Sequence, residues 1–216
     1  MSFISKHISL CEYDERHERV NTLTHAIGFA LALFGLFLVI KRISSFSTLD
    51  LKLGMLVYAL SNVLLYGASM IYHALRPSDA KRFFRILDHS NIYILIAGTY
   101  CPLLMYIGST KTIYINIAMW IIVAIGIIST LLFWNRLRII HVVLYVIMGW
   151  LCVFFYNDIF PSLPEGLFKY ILAGGIVYTL GLFFYGFKKI PYYHAIWHLF
   201  TLLGSLSFFV GIYLYI

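Results

Sequence analysis

Charge is scarce in this chain. Of 216 residues only 12% are Asp, Glu, Lys or Arg while 62% are hydrophobic, with a mean hydropathy of +0.88, and that balance excludes an ordinary water-soluble domain with a polar surface. Long polar segments are also missing, so nothing is left over for a second domain. Cysteine is rare: Cys11, Cys101 and Cys152 stand alone, with no CxxC spacing and no even-numbered framework, which leaves them as small packing residues. Strands of about ten residues with alternating polarity, the mark of a membrane β-barrel, do not occur. Internal repeats and low-complexity tracts are absent too, so a transporter built on repeats gains no support. The N-terminal MSFISKHISLCEYDERHERVN mixes acids with bases, so we expect neither a secretory signal nor a transit peptide, and expect the first apolar stretch to be retained.

What the chain does contain is long apolar runs. A hydrocarbon slab of about 30 Å is crossed by about 20 apolar helical residues, and the sequence divides into seven stretches of that order. They lie at about Thr24 to Ile40, Leu51 to His73, Asn91 to Ile107, Ile113 to Trp134, Ile139 to Phe155, Leu167 to Phe187 and Tyr192 to Ile216. In lipid every backbone polar group must be satisfied within its own segment, so the expected fold is all-α: a polytopic seven-transmembrane helix bundle. Residues 1–23 form a cytoplasmic N-terminal segment in this reading and residues 24–216 the transmembrane domain.

Net charge is +7, and its placement suggests an orientation. With the N-terminus inside, the inner segments hold Lys6, Arg16, Arg19, Arg76, Lys81, Arg82, Arg85, Arg136, Arg138, Lys188 and Lys189. The outer ones keep Lys41, Arg42, Lys52, Lys111 and Lys169. The excess favours N-inside and C-outside. The bases form short juxtamembrane clusters suited to anionic lipid head groups, which argues against nucleic acid as a partner.

That orientation assigns a depth to the unusual polar residues. His73 ends the second stretch on the inner side, with Ser69 one turn deeper, and Asp88 stands at the mouth of the third. His25 lies in the first turn of the first stretch, and His194 and His198 open the seventh at the same level. Positions i and i+4 on an α-helix differ by about 40° in direction and about 6 Å in height, so His194 and His198 point one way, as do Ser69 and His73. Two imidazoles so placed can ligate one metal, His73 can complete a set of three, and a fourth position would stay open, as in catalytic zinc sites. Imidazole equally suits copper, iron or nickel. Plainer readings stand beside this one: interfacial or packing histidines, Asp88 as a helix cap or a neighbour of the basic loop, and Ser69 as a helix-packing residue.

The ordered motifs ERVNTLTHAIG with Glu18, Asn21, Thr24 and His25, SMIYHAL with Ser69 and His73, LDHSNIYILIAGTYCPLLM with Asp88, and YYHAIWHLF with His194 and His198 resemble the hemolysin III family of bacterial membrane proteins. That family is similar to the animal adiponectin and progestin receptors and, more distantly, to alkaline ceramidases. The resemblance covers almost the entire chain, departing locally at Cys101, where a threonine is more usual. It implies seven helices in the bacterial cell membrane and a Zn2+ ion near the cytoplasmic leaflet held by His73, His194 and His198. Asp88 matches the acid that holds or activates water there, and Ser69 the serine beside it. Glu18, Asn21 and His25 match a first-helix motif, either supporting the site or docking the N-terminal segment.

Function is then expected to be metal-assisted hydrolysis of an amide or ester in a membrane lipid or fatty-acyl substrate, ceramide-like first of all. Two other readings remain open: a non-enzymatic, zinc-stabilised regulator of membrane lipid or energetic homeostasis, and a lytic protein.

Overall fold

The computed structural model of the chain describes residues 7–11, 13–134, 136 and 138–216, the last range without the Arg138 side chain. Lys6 and that side chain, both counted above as inner charges, lie outside the described residues. The long elements are α1 (Glu15–Arg42), α2 (Leu49–Ala74), α3 (Asp79–Ile107), α4 (Thr110–Leu132), α8 (Leu167–Gly186) and α9 (Tyr193–Tyr215). All six are long and apolar enough to cross a membrane, and no strand occurs among the described residues. Polar side chains fix the helix starts: Asp14, Thr48, Ser78 and Ser109 each accept a backbone N–H from three residues on. Gly108, in the left-handed region at φ 62°, ends α3.

The fifth expected stretch, Ile139 to Phe155, is not one helix. It is α5 (Arg138–Gly149), α6 (Leu151–Phe154) and α7 (Tyr156–Ile159), followed by a 3-10 turn over Phe160–Ser162. The ladder breaks at Trp150 (φ −97°, ψ 7°) and again at Phe155 (φ −106°, ψ 28°). A side chain from α3 compensates the first break: the Tyr100 hydroxyl donates to the Gly149 carbonyl at 3.1 Å and accepts the Cys152 N–H at 2.9 Å. Breaks at membrane depth are tolerated where the protein itself satisfies the freed groups.

The broken run still joins the two ends of the bundle. It starts beside Tyr93 and His89 of α3, through His141 and Tyr145, and ends with Asp158 paired to Lys111, at the start of α4, at 2.8 Å. At one end of the molecule the Tyr13 and Tyr193 hydroxyls share a hydrogen bond of 3.1 Å, and at the other Arg42 donates to the Tyr213 carbonyl. Helices α1 and α9 therefore run in the same direction. Helix α8 runs against α9, with Tyr178 on Ser205 at 2.6 Å and Ser207 on the Tyr170 carbonyl at 2.9 Å.

Tight approach depends on small residues. A Cβ on Gly28 would stand 2.5 Å from the Tyr66 ring, which presses α1 against α2. Outward faces such as Leu23, Ile27, Phe34 and Phe37 of α1 are apolar and exposed, as lipid-facing surface should be. Helices α1 and α3 begin well before the apolar runs expected at Thr24 and Asn91, because the polar turns that precede those runs are folded inward. These extra turns carry Glu18, Asn21, Lys81, Arg85 and Asp88.

Candidate metal centre

The C-terminal end of α2 and the N-terminal ends of α1, α3 and α9 converge on three imidazoles. Each of His73, His194 and His198 offers a ligand atom, and these atoms all lie within 4.8 Å of one another. Helix α9 is launched from Tyr192, the one non-glycine residue with positive φ (57°) among the described residues, whose ring stacks on His17 at 4.3 Å. That turn sets His194 and His198 on the inner face of the first two turns of α9.

Chemistry decides which nitrogens face the cluster. Glu18 approaches His73 Nδ1 with Oε2 at 2.6 Å, and a carboxylate can only accept, so Nδ1 carries the proton and Nε2 keeps its lone pair. That Nε2 is buried and has no hydrogen-bond partner. Thr24 plays the equivalent part for His198: its hydroxyl proton is committed to the Asn21 and Val20 carbonyls at 2.9 and 3.1 Å, and its oxygen accepts from His198 Nδ1 at 3.0 Å. His194 Nδ1 is buried without a partner. His73 Nε2 and His194 Nδ1, buried with no other partner, beside the His198 ring make a donor set that fits a metal ion.

Glu18 is itself held. Lys81, in the first turn of α3, donates to Glu18 Oε1 at 2.7 Å and to the Leu75 carbonyl at 2.8 Å. His25 lies flat on His198, ring centroids 3.5 Å apart, with neither of its nitrogens bonded. Asn21 is buried with Nδ2 unpartnered, and Ser69, on the His73 face of α2, is fully buried with a free Oγ. The Asp88 carboxylate, on α3, lies 3.7 Å from His89 Nδ1.

The segment before α1 lies over this end of the bundle. Arg82 and Arg85 hold it through the Ile8 and Ser9 carbonyls, and Arg85 Nη2 is 2.9 Å from Cys11 Sγ. Tyr13 then stacks on His194 at 5.4 Å. Burial raises the Tyr13 hydroxyl far above the usual phenol range, so it stays neutral. Asp14, exposed at the start of α1, is held below the usual carboxylate range by the His17 backbone N–H.

Sequence reasoning puts His73, His194 and His198 at one level, and the structure brings their ligand atoms within 4.8 Å of one another; Glu18, for which the resemblance left two roles open, lies against His73. Lys81 escapes it, reading as one base of a juxtamembrane cluster. The available signal was local: a lysine in the first turn of a helix capped by Ser78 opposes the helix dipole and needs an anion.

This arrangement sits in a chain with clear relatives. The haemolysin-III related family model matches residues 13–209. A protein named Hemolysin-3 from Bacillus cereus is 36% identical over 206 residues, covering 93% of this chain and 92% of the relative. The chain belongs to the haemolysin-III related family. A Hemolysin-3 homolog from Bacillus subtilis (strain 168) is 35% identical over 202 residues, covering 93% and 94%. The human Monocyte to macrophage differentiation factor is 27% identical over 173 residues, covering 74% and 69%. No solved structure matches the chain significantly. With six membrane-length helices, this family member is a multi-pass protein of the cell membrane.

Proposed function

We propose that this haemolysin-III related protein is a zinc-dependent hydrolase of an amide or ester bond in a membrane lipid. The observation that carries the reading is the meeting of the ligand atoms of His73, His194 and His198 within 4.8 Å, with His73 Nε2 and His194 Nδ1 buried and unpartnered, at the end of a lipid-embedded bundle. Three neutral imidazoles suit zinc and leave a position open for chemistry. When bound, zinc supplies a Lewis acid and brings the pKa of water to about 7.

This chain's own residues do the rest. Glu18 and Thr24 hold His73 and His198 in their ligating tautomers. Asp88 accepts the proton of the attacking water, and the free Ser69 hydroxyl hydrogen-bonds the oxygen on which charge develops. The distribution of bases favours the cytoplasmic side for this end of the bundle. The substrate is a fatty-acyl lipid arriving sideways from the bilayer, a ceramide-like amide being the first to try.

The test is fatty-acid release from a panel of acyl lipids by purified, metal-loaded protein. Turnover abolished in His194→Ala and reduced at least tenfold in Asp88→Ala is the expected result. Turnover unchanged in both variants rejects the assignment.

One observation favours a second reading. The three histidines come from α2 and α9, with Glu18 and Thr24 of α1 behind His73 and His198, so bound metal would cross-link two helices, with α1 packed behind them, and stabilise the fold by favouring only the folded state. A regulator stabilised in this way would lose thermal stability without metal and have no turnover to lose. Hydroxamate binding separates the two: an open metal position takes it and a closed one does not.

A further inference from the structure

By ordinary helix chemistry Lys81 is misplaced. It occupies the first turn of α3, where the aligned peptide dipoles repel a cation, and its side chain is only 3% exposed. A buried ammonium persists only with partners for its charge and its protons. Lys81 has three: Glu18 Oε1 at 2.7 Å, the Leu75 carbonyl at 2.8 Å, and the face of the Tyr72 ring at 4.9 Å. Two of these, Leu75 and Tyr72, flank His73 in the chain, and the third is the carboxylate that receives the His73 proton.

The Glu18 carboxylate is divided between its neighbours. One oxygen takes Lys81 and the other takes His73 Nδ1 at 2.6 Å. Without the lysine, the carboxylate could rotate about its terminal bond, and His73 would lose the fixed acceptor that determines which nitrogen bears its proton. His198 is supported differently, by the neutral hydroxyl of Thr24. Of the two supports built from neighbouring side chains, only the one behind His73 carries charge.

We propose that Lys81 is a positioning residue for the metal centre, acting through Glu18 on His73. It rests on the metal-centre reading above and adds to it the α3 residue on which ligand geometry depends. Lys81 clamps Glu18 and Leu75 together, so the end of α2, the start of α1 and the start of α3 close behind His73 as a unit. His73 Nε2 is left as the one free nitrogen of its ring, buried and aimed into the cluster. Support of this kind from behind a ligand characteristically governs metal affinity by 10–100-fold.

The measurements are zinc affinity by chelator competition and the visible spectrum of the cobalt(II) form, both on the full-length chain in detergent. Lys81→Met keeps the length of the side chain and removes its donors. It is expected to weaken zinc binding about 10–100-fold and to shift the cobalt bands, with Lys81→Arg recovering most of the affinity. A lysine that only pins the loop between α2 and α3 predicts something different: a lower melting temperature for the metal-free protein, with zinc affinity and cobalt spectrum unchanged. That result overturns the proposal. Should Lys81→Met fail to fold, Lys81→Gln, which keeps uncharged donors, gives the same two outcomes at smaller amplitude. Wild-type protein that binds neither zinc nor cobalt would instead reject the metal centre itself, and that failure is visible before any variant is compared.

Discussion

His25 and His198 lie face to face, ring centroids 3.5 Å apart and planes 21° from parallel, although one belongs to α1 and the other to α9. His198 has Thr24 for a partner, whereas both nitrogens of His25 are buried without one. Tyr66 closes the far side of the His25 ring edge-on at 5.2 Å. The position therefore demands a flat ring more than it demands nitrogen. His25→Phe should keep metal binding and change stability by less than about 1.5 kcal/mol, since an apolar group of similar shape removes unsatisfied polar atoms. His25→Ala should cost about 3 kcal/mol through the cavity it opens. Thermal melts and metal content together check this, and loss of metal in His25→Phe as complete as in His198→Ala would make His25 a ligand.

The three-histidine cluster predicts a cooperative loss. Because the ligand atoms of His73, His194 and His198 converge within 4.8 Å, replacing any one with Ala should drop metal content from about one equivalent toward zero instead of by a third. Free metal at about a thousand times its Kd should stabilise the wild-type fold by about 4 kcal/mol. Chelator should then lower the wild-type melting temperature and leave the three variants unmoved. A melting temperature that chelator does not alter in the wild type would show that no metal supports this end of the bundle.

Much of this molecule can be read from its sequence, and the exceptions share a cause. Of the seven apolar runs read as membrane-length, six correspond to helices long and apolar enough to cross a membrane, because lipid is a uniform solvent and hydropathy measures affinity for it. Hydropathy does not register a polar turn folded into the protein, so α1 and α3 begin at Glu15 and Asp79, ahead of their apolar stretches. The break at Trp150 is equally hidden, since the hydroxyl that satisfies it belongs to Tyr100 on another helix. At the site, His194 and His198 are legible through their spacing on one helix. The link from Lys81 to Glu18 to His73 spans three helices, and no local pattern encodes such a contact.

Tyr100 offers a direct test of how the broken run from α5 to α7 is held. Its hydroxyl serves the Gly149 carbonyl and the Cys152 N–H together, at 3.1 and 2.9 Å, and Cys152 is itself buried. Tyr100→Phe preserves the ring and strands both backbone groups where water is excluded. Each group left unsatisfied costs about 1–3 kcal/mol, so a loss of about 2–6 kcal/mol is expected, with faster amide exchange confined to residues around 149–155. If the melting temperature is unchanged, the short elements α6 and α7 do not depend on this hydroxyl.

Glu18 lets the charge arrangement be tested through stability instead of metal affinity. The Glu18–Lys81 pair is 2.7 Å long, with side chains 17% and 3% exposed, so removing only the acid leaves a buried ammonium with a carbonyl and an aromatic face for company. Breaking such a pair from one side costs about 3–5 kcal/mol, and the partial exposure of Glu18 places Glu18→Gln near the lower figure. Glu18→Gln combined with Lys81→Met removes the stranded charge as well, so the double variant should be more stable than Glu18→Gln alone by at least about 1 kcal/mol. Metal-free protein is the form to melt, because the comparison then excludes any contribution from the ion. Additive single-variant losses would mean that the two charges do not sense each other in the folded protein, and that α3 is joined to the histidine cluster by packing alone.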